Sequence, residues 1–380
     1  MTTQVTPTAT VTGKKRAYEK LIDCDVHPEV NDKFSALLEY MPKYWQDRMA
    51  YMANKSLVGF YGGSQTTGRV PHPRGNDLSM RVDEIPPGGG PLASDPEFLK
   101  EMLLDKYGID TALLIALEPA ANAVGSCEEE HSATLVSAWN RYMLDHWMVD
   151  ERFRYALVVS PLDPVLAAEE IRLHGKNPKV AAVYLPLWGI RMGNRRYNPI
   201  YEAAVENGLP IMTHPGVGEG NLDRCATYAG GLPESHFEKY SDLQQIAQAN
   251  LTSLIAKGTF SKYPDLRVLF IEYGFAWVPS HLWRMDKAWR ELRNEIPWVK
   301  KWPREYVHDN VKFSTQAFPE PEHPEELVEM FERYLSDSLM FATDYPHWDF
   351  DRPASVFSTL SEENKRKLFY ENAASVLRLQ

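Results

Sequence analysis

Short apolar runs alternate with longer amphipathic segments along most of the chain. Eight apolar runs have the length of a buried strand, and they begin at Leu21, Thr111, Tyr155, Val180, Leu209, Leu266, Val311 and Leu339. The segments between them carry apolar residues at helical spacing, as in 132–149 and 163–174. Eight strand–helix units predict an α/β fold, a (β/α)₈ TIM barrel, whose functional side chains lie at the C-terminal ends of the strands.

An open, doubly wound sheet is the alternative for such an alternating pattern. The chain has no Gly-x-Gly-x-x-Gly after an early strand and no Walker-type Gly-Lys-Ser/Thr. The sequence therefore favours the barrel and argues against nucleotide binding.

Helix signals mark several segments of the pattern. Asp95 and Pro96 are typical of a helix start, and Gly108 is typical of its end. The pattern also predicts a helix over 32–52 that Pro42 interrupts, and two closing helices over 354–360 and 362–379.

The chain divides into a tail and one domain. Residues 1–18 are polar and Thr-rich and predict a disordered tail, while 19–380 form a single barrel domain. Within it, 58–94 contains many Gly and Pro residues without periodicity, which predicts a long irregular insertion after the first strand. This insertion is either a lid over the site or a surface excursion that covers apolar area.

Composition narrows the class of protein. The chain is 44% hydrophobic and 12% aromatic, which is ample for a large core, and 41 basic against 52 acidic residues give a net charge of −11. That charge argues against nucleic acid and anionic membranes as partners and favours a small-molecule substrate. Three cysteines without Cys-x-x-Cys spacing predict neither disulfides nor a thiolate zinc site, so we expect a reducing cytoplasm.

Acidic and histidine side chains follow three of the predicted strands. Asp25 and His27, two residues apart at the end of the first strand, point to the same face and can converge on one ion. By themselves they are more typical of a hydrogen-bonded pair. His214 and Asp344 follow two later strands in the same way, and strand ends meet at one face of a barrel, so together they indicate a metal site.

These motifs resemble the amidohydrolase superfamily, in particular the amidohydrolase 2 branch related to aminocarboxymuconate-semialdehyde decarboxylase. The segments that carry the resemblance are Ile22-Asp23-Cys24-Asp25-Val26-His27, Leu209-Pro210-Ile211-Met212-Thr213-His214-Pro215-Gly216, Thr343-Asp344-Tyr345-Pro346-His347 and Glu371-Asn372-Ala373-Ala374. The resemblance implies one divalent metal ion held by Asp25, His27, His214 and Asp344. It also implies a homodimer or higher oligomer formed through barrel helices.

Two departures from the family pattern affect the expected chemistry. Many relatives have a histidine where this chain has Asp25, and the extra carboxylate shifts the preference from zinc toward manganese without deciding it. The related decarboxylases carry an acid–base histidine on the sixth strand, where this chain has Glu272. Because an ionised glutamate is a poor proton donor, this departure favours hydrolysis.

The prediction is therefore a metal-dependent hydrolase that attacks an amide, lactone or ester of a small cyclic or aromatic substrate with metal-activated water. Asp344 moves the proton, Glu272 orients water or substrate, and His214 acts with the metal. One alternative is a metal-dependent, non-oxidative decarboxylase of an aromatic or muconate-type acid. The other is a barrel that binds a ligand without turnover.

Other residues have weaker assignments. His347, Trp188 and Arg191 are predicted to bind substrate, although a solvated loop accounts better for the arginine. Glu272 has a structural alternative, an ion pair with Arg284 or Arg290. The tryptophan-rich run from Trp277 to Trp298 supports an oligomer interface, against the alternative of packing within one chain.

Overall fold

The structure, a computed structural model, describes residues 18–29, 35–53, 85–125, 128–215 and 235–379. The predicted tail, apart from Tyr18, and residues 58–84 of the predicted insertion lie outside the described residues. Residues 85–94 of that insertion form turns and bends before the next helix.

The sheet is the centre of the fold and confirms the predicted barrel. Eight strands pair side by side in chain order, and every pairing is parallel. The strands are β1 (Ile22–Val26), β2 (Thr111–Leu114), β3 (Phe153–Val158), β4 (Val180–Tyr184), β5 (Ile211–Thr213), β6 (Val268–Phe270), β7 (Val311–Ser314) and β8 (Leu339–Met340). Nearly all of their residues are buried because helices cover the outside of the barrel.

The barrel closes between β8 and β1 through a few backbone contacts beyond the end of β8. Val26 and Tyr345 form a parallel bridge. The N–H of Cys24 donates to the carbonyl of Phe341 (3.1 Å), and the N–H of His27 donates to that of Tyr345 (2.8 Å). The first and last strands, which have three of the four predicted metal ligands at or beyond their ends, are thus held side by side.

A buried carboxylate strengthens this closure. Asp23 is fully buried and accepts the backbone N–H of Thr343 (2.9 Å), the Thr343 hydroxyl (2.6 Å) and the N–H of Asp25 (3.2 Å). One side chain of β1 therefore fixes the segment that leads from β8 to Asp344.

We expect Asp23→Ala to lower the free energy of unfolding by about 3 kcal/mol, because it leaves buried donors of Thr343 and Asp25 without an acceptor. Urea denaturation followed by circular dichroism measures the change. Asp23→Asn, which keeps one acceptor oxygen, should cost less.

Asp163→Ala provides the comparison for this experiment. Asp163 also accepts two backbone N–H groups, but at the exposed start of a helix, where the loss costs about 1 kcal/mol. Equal losses for Asp23→Ala and Asp163→Ala would contradict the role of Asp23 in closing the barrel.

Helices follow the strands and surround the barrel. They are α1 (Ser35–Leu38), α2 (Lys43–Ala53), α3 (Pro96–Leu99), α4 (Leu117–Gly125), α5 (Glu129–His146), α6 (Pro164–His174), α7 (Asn198–Asn207), α8 (His236–Ala256), α9 (Thr259–Lys262), α10 (Val278–Leu292), α11 (Pro303–Asn310), α12 (Glu325–Met330), α13 (Glu362–Arg366) and α14 (Asn372–Ala374). Turns of π-helix extend α3, α12 and α13 over Lys100–Asp105, Phe331–Leu335 and Lys367–Glu371. Asp95 caps α3 as predicted, since its side chain accepts the N–H groups of Glu97 and Phe98.

One predicted helix is wrong. Residues 354–360 form turns, and Phe357 has a φ of +48°, which no right-handed helix accommodates. The apolar residues Val356, Phe357 and Leu360 are still buried, so the helical spacing reflected burial against the barrel and not helix formation.

The tryptophans after β6 mostly pack within the chain. Trp277 donates to the carbonyls of Tyr273 and Gly274, Trp289 packs on Trp302 at 4.9 Å between ring centroids, and Trp298 donates to the carbonyl of Ala256. Trp283 differs, being 57% exposed. These contacts favour the intrachain alternative for most of the run, and the oligomeric state stays a prediction. Among the described helices, none has the length and apolar character needed to cross a membrane.

Candidate metal centre

Five buried side chains converge at the C-terminal ends of the barrel strands. Asp25, His27, His214, Glu272 and Asp344 each offer a ligand atom, and these atoms all lie within 4.8 Å of one another. Asp25 is the next-to-last residue of β1, and His27 and His214 directly follow β1 and β5. Glu272 lies two residues after β6, and Asp344 lies four residues after β8. Within the described part of the chain, this is the one group of three or more such residues that could hold a metal ion.

The two histidines present the same nitrogen to the centre. His27 Nδ1 lies 3.0 Å from the carbonyl oxygen of Ile115, and His214 Nδ1 lies 2.5 Å from that of Pro215. A carbonyl only accepts, so each Nδ1 carries the proton and donates it. Both Nε2 atoms are thereby directed to the shared centre, an orientation that metal-binding histidines commonly have.

The ligand atoms crowd together without satisfying one another. His27 Nε2 lies 3.0 Å from Asp25 Oδ1 and 2.9 Å from Asp344 Oδ1, and His214 Nε2 lies 2.7 Å from Glu272 Oε2. Yet both oxygens of Asp25, Asp344 Oδ2 and His214 Nε2 are buried without a hydrogen-bond partner. Atoms that point to one common centre and not at each other fit a metal ion as their shared partner.

Two of the five residues have unusual backbone conformations. Glu272 has a φ of +61° and Asp344 a φ of +60°. Both values lie in the left-handed region, which residues other than Gly seldom adopt and which Asp and Asn tolerate better than Glu. Strain of this kind persists where the surrounding structure imposes it, and it is common at functional sites. Here it directs both carboxylates inward.

The carboxylates draw positive charge to the centre. Burial alone would raise the pKa of Asp25, but the charges of His27 and His214 outweigh it and lower that pKa. Burial alone would lower the pKa of His214, but the charges of Asp25 and Glu272 outweigh that effect and raise the pKa to about 10. Three carboxylates and two imidazoles with this demand for positive charge fit a divalent cation.

Asp344 and His347 form a polar pair at one side of the centre. Their Oδ1 and Nδ1 atoms lie 2.5 Å apart. Burial and the Glu272 carboxylate raise the pKa of Asp344 to about 7, while burial and the charge of His27 lower the pKa of His347 to about 4. A buried carboxyl and an imidazole at this distance can share and pass on a proton.

The structure brings together all four predicted ligands and adds Glu272 to them. Sequence reasoning had assigned Glu272 to catalysis alone, with an ion pair to Arg284 or Arg290 as its alternative. Its carboxylate instead contacts His214, and Arg290 pairs with Glu291. His347 adjoins the group through Asp344.

The other two predicted substrate-binding residues follow β4. Trp188 packs against the guanidinium of Arg196, at 5.3 Å from the ring centroid, and Arg191 is exposed. Neither is among the residues that converge on the metal centre. Their role in substrate binding stays a prediction.

Sequence reasoning missed a second layer around the centre. Burial, followed by the charges of Asp344 and Glu272, raises the pKa of Asp349 to about 8. Burial and nearby Asp349 likewise raise that of Asp351 to about 8. Asp349 and Asp351 stand two residues apart just after the β8 motif, and this spacing was a sequence signal for the layer. Nothing in the local sequence marks Gln316, whose amide donates to both residues, or Tyr240 on α8.

Comparison with known proteins agrees with this architecture. The model of the protein family described as Amidohydrolase matches residues 22–379 of the chain. None of the curated protein sequences matches the chain.

Several solved structures share the fold. An amidohydrolase from Mycobacterium avium subsp. paratuberculosis K-10 has a TM-score of 0.68 at 20% identity, covering 95% of this chain and 100% of its own. 5-Carboxyvanillate decarboxylase LigW from Sphingomonas paucimobilis has a TM-score of 0.66 at 18% identity. The matched region covers 95% of this chain and 99% of the decarboxylase. Dihydroxybenzoic acid decarboxylase from Polaromonas sp. JS666, solved with manganese and the inhibitor 2-nitroresorcinol, has a TM-score of 0.61 at 16% identity. The matched region covers 94% of this chain and 96% of that decarboxylase.

These findings contradict the predicted preference for hydrolysis. Several of the similar structures are decarboxylases of aromatic acids, namely 2,6-dihydroxybenzoate, 5-carboxyvanillate and dihydroxybenzoic acid. The prediction of a hydrolase was therefore wrong. It rested on the missing strand-six histidine, and the Asp344–His347 pair shows that the centre has another group able to carry a proton.

Proposed function

The chain belongs to the amidohydrolase family, and we propose that it is a metal-dependent decarboxylase of aromatic acids. The observation that carries this proposal is the buried group of five ligand residues with a proton-sharing pair, Asp344 and His347, at its edge. The named decarboxylases that share the fold support it.

Asp25, His27, His214, Glu272 and Asp344 would hold one divalent ion. When bound, that ion supplies a site for the substrate carboxylate and neutralises its charge. We propose manganese over zinc because three of the five ligand residues are carboxylates, which suit harder ions than zinc, and because similar decarboxylases were solved with manganese.

The chain's own residues then deliver the proton. Loss of CO₂ from an aromatic acid requires a proton on the ring carbon that bears the carboxylate; the electron pair of the breaking carbon–carbon bond restores the aromatic ring. Asp344, which shares a short contact with His347, is the group in position to give that proton. Burial of both residues keeps bulk water away from this transfer.

Glu272 has a different role in this scheme. Its carboxylate lies 2.7 Å from His214 Nε2 and its backbone N–H donates to the Ser314 hydroxyl (2.8 Å). It would therefore help to hold His214 and the metal in place. A glutamate on strand six is compatible with decarboxylation once the proton comes from strand eight.

The test is to offer the manganese-loaded protein a panel of aromatic acids that includes 2,6-dihydroxybenzoate and 5-carboxyvanillate. We expect CO₂ release that stops when a chelator removes the metal. In D₂O the product should carry one deuterium at the carbon that lost the carboxylate. A fully metal-loaded, folded protein that releases no CO₂ from any member would contradict the proposal.

The choice of metal gives a further expected result. After removal of all metal, we expect reconstitution with Mn²⁺ to restore more CO₂ release than reconstitution with Zn²⁺, because the oxygen-rich ligand group suits Mn²⁺. Metal analysis of each sample must first show about one ion per chain. Higher turnover with Zn²⁺ at equal occupancy would reverse the assignment.

A further inference from the structure

Tyr240 places a phenol hydroxyl beside the metal centre. It lies near the start of α8, the helix that follows β5, and so at the face of the barrel where the metal ligands converge. The charged groups that act most strongly on it are Glu272, Asp344 and Asp349, and the first two belong to the metal group. The side chain of Tyr240 is only half-buried, so it borders both the centre and the solvent.

A tryptophan fixes the orientation of this hydroxyl. Trp348 directly follows His347, and its ring meets that of Tyr240 at an angle of 65°, with 6.0 Å between the ring centroids. The two side chains also share a hydrogen bond. An indole N–H can only donate, so the Tyr240 oxygen accepts this bond and keeps its own hydrogen to donate in another direction.

The hydroxyl is an uncharged donor among carboxylates. Burial, followed by the charges of Glu272 and Asp344, raises the pKa of Tyr240 above its ordinary value, so the group keeps its proton at neutral pH. A lysine or arginine in this place would pair with the carboxylate ligands and compete with the metal ion for them. A phenol offers a hydrogen bond and leaves the charge of those ligands to the metal.

An acid bound at the metal brings a matching acceptor. A carboxylate has about four lone-pair positions, and a metal ion occupies only part of them. The remaining positions need donors, because a buried charge without hydrogen bonds is costly. The ligand histidines cannot supply them, since His27 and His214 donate their Nδ1 hydrogens to the carbonyls of Ile115 and Pro215. Tyr240 is a donor at the edge of this space.

We propose that Tyr240 donates its hydroxyl hydrogen to the carboxylate of the bound acid, and that Trp348 is the positioning residue that orients this hydroxyl. The pair then holds the carboxylate that the reaction removes close to Asp344, which delivers the proton. The identity of the acid rests on the proposed function, whereas the hydrogen bond is a property of binding and is measured without turnover.

The first experiment measures dissociation constants of the manganese-loaded Tyr240→Phe variant by isothermal titration calorimetry with benzoate and the acids of the panel. Acids that release CO₂ are compared by single-turnover rates at increasing concentration. The variant keeps the ring that packs on Trp348 and loses only the O–H. We expect about a tenfold loss of affinity, the effect of one hydrogen bond to a charged group, with about one manganese ion per chain retained.

Tyr263→Phe is the matched control for this variant. The Tyr263 hydroxyl also donates to a carboxylate, that of Glu202 (2.6 Å), but Tyr263 precedes β6 and so lies at the opposite end of the barrel. Its removal should leave the affinity for the acids within about twofold.

A double-mutant cycle isolates the role of Trp348. Trp348→Phe removes the indole N–H but leaves an aromatic ring against Tyr240, and we expect about a fivefold loss of affinity because the hydroxyl is no longer oriented. In the Tyr240→Phe background the same change should alter affinity by less than about twofold, since no hydroxyl is left to orient. Trp298→Phe is the control, because Trp298 is similarly exposed and donates its N–H to the carbonyl of Ala256.

Four results would overturn the proposal. They are the absence of acid binding by the unaltered manganese-loaded protein, equal affinities of this protein and Tyr240→Phe, loss of manganese from Tyr240→Phe, and an effect of Trp348→Phe that is the same with and without the hydroxyl. Failure of the proposed function looks different, since the acids would then bind with the expected dependence on Tyr240 but release no CO₂.

Discussion

The His214→Ala variant is expected to lose its divalent ion and at least about 10³-fold of its decarboxylase activity while keeping its fold. His214 Nε2 lies 2.7 Å from Glu272 Oε2 and 3.4 Å from Asp25 Oδ1, so its removal takes a neutral ligand from between two carboxylates. Those carboxylates then repel each other across the gap. The fold should remain because His214 follows the end of β5 and does not belong to the barrel ladder.

Metal analysis after dialysis and the CO₂ assay measure this outcome, and circular dichroism reports the fold. His281→Ala is the matched control, because His281 lies on α10 and bonds to the Thr252 hydroxyl (2.9 Å), outside the metal group. It should keep both metal and activity. A full complement of metal in His214→Ala would show that the ion binds elsewhere.

The Asp344→Asn variant is expected to bind metal but to lose about 10²- to 10⁴-fold of its CO₂ release, the range typical of a lost general acid. Asparagine keeps an oxygen for the metal and tolerates the left-handed backbone at this position, where φ is +60°. Its carboxamide cannot carry the transferable proton. Binding of the substrate should therefore survive while the chemical step fails.

Single-turnover CO₂ release, metal content and the dissociation constant of the acid distinguish these effects. Asp286→Asn is a suitable comparison because Asp286 is also buried, but it accepts from the backbone N–H and guanidinium of Arg304, away from the centre. We expect little change in its CO₂ release. An Asp344→Asn variant with unchanged single-turnover rate would remove Asp344 from proton delivery.

The mistaken preference for hydrolysis shows how a single position can mislead. The sequence has Glu272 where related decarboxylases have a histidine, and an unperturbed glutamate is ionised at neutral pH. In the structure Glu272 contacts His214 and Asp344 lies against His347, and the proposed mechanism accordingly gives the two tasks to the residues after strands six and eight.

From the sequence came the architecture and four of the five side chains that converge at the candidate metal centre. Eight apolar runs separated by helical spacing predicted the eight parallel strands, because the local period of burial depends on backbone geometry alone. Asp25, His27, His214 and Asp344 became candidate ligands because each lies at or just after the end of such a run, and the family resemblance implied them as one set. The same local logic failed over 354–360, where burial produced a helical spacing and the backbone formed turns.

The contacts between these residues depend on the folded barrel. The bonds from Asp23 to Thr343 that close the barrel, the contact of Glu272 with His214, and the placement of Gln316 beside Asp349 join residues far apart in the chain. The pKa of a buried side chain, and whether its polar atoms find hydrogen-bond partners, depend on burial and on neighbours from other strands. No local pattern carries that information, because it arises only when the strand ends meet at one face of the closed barrel.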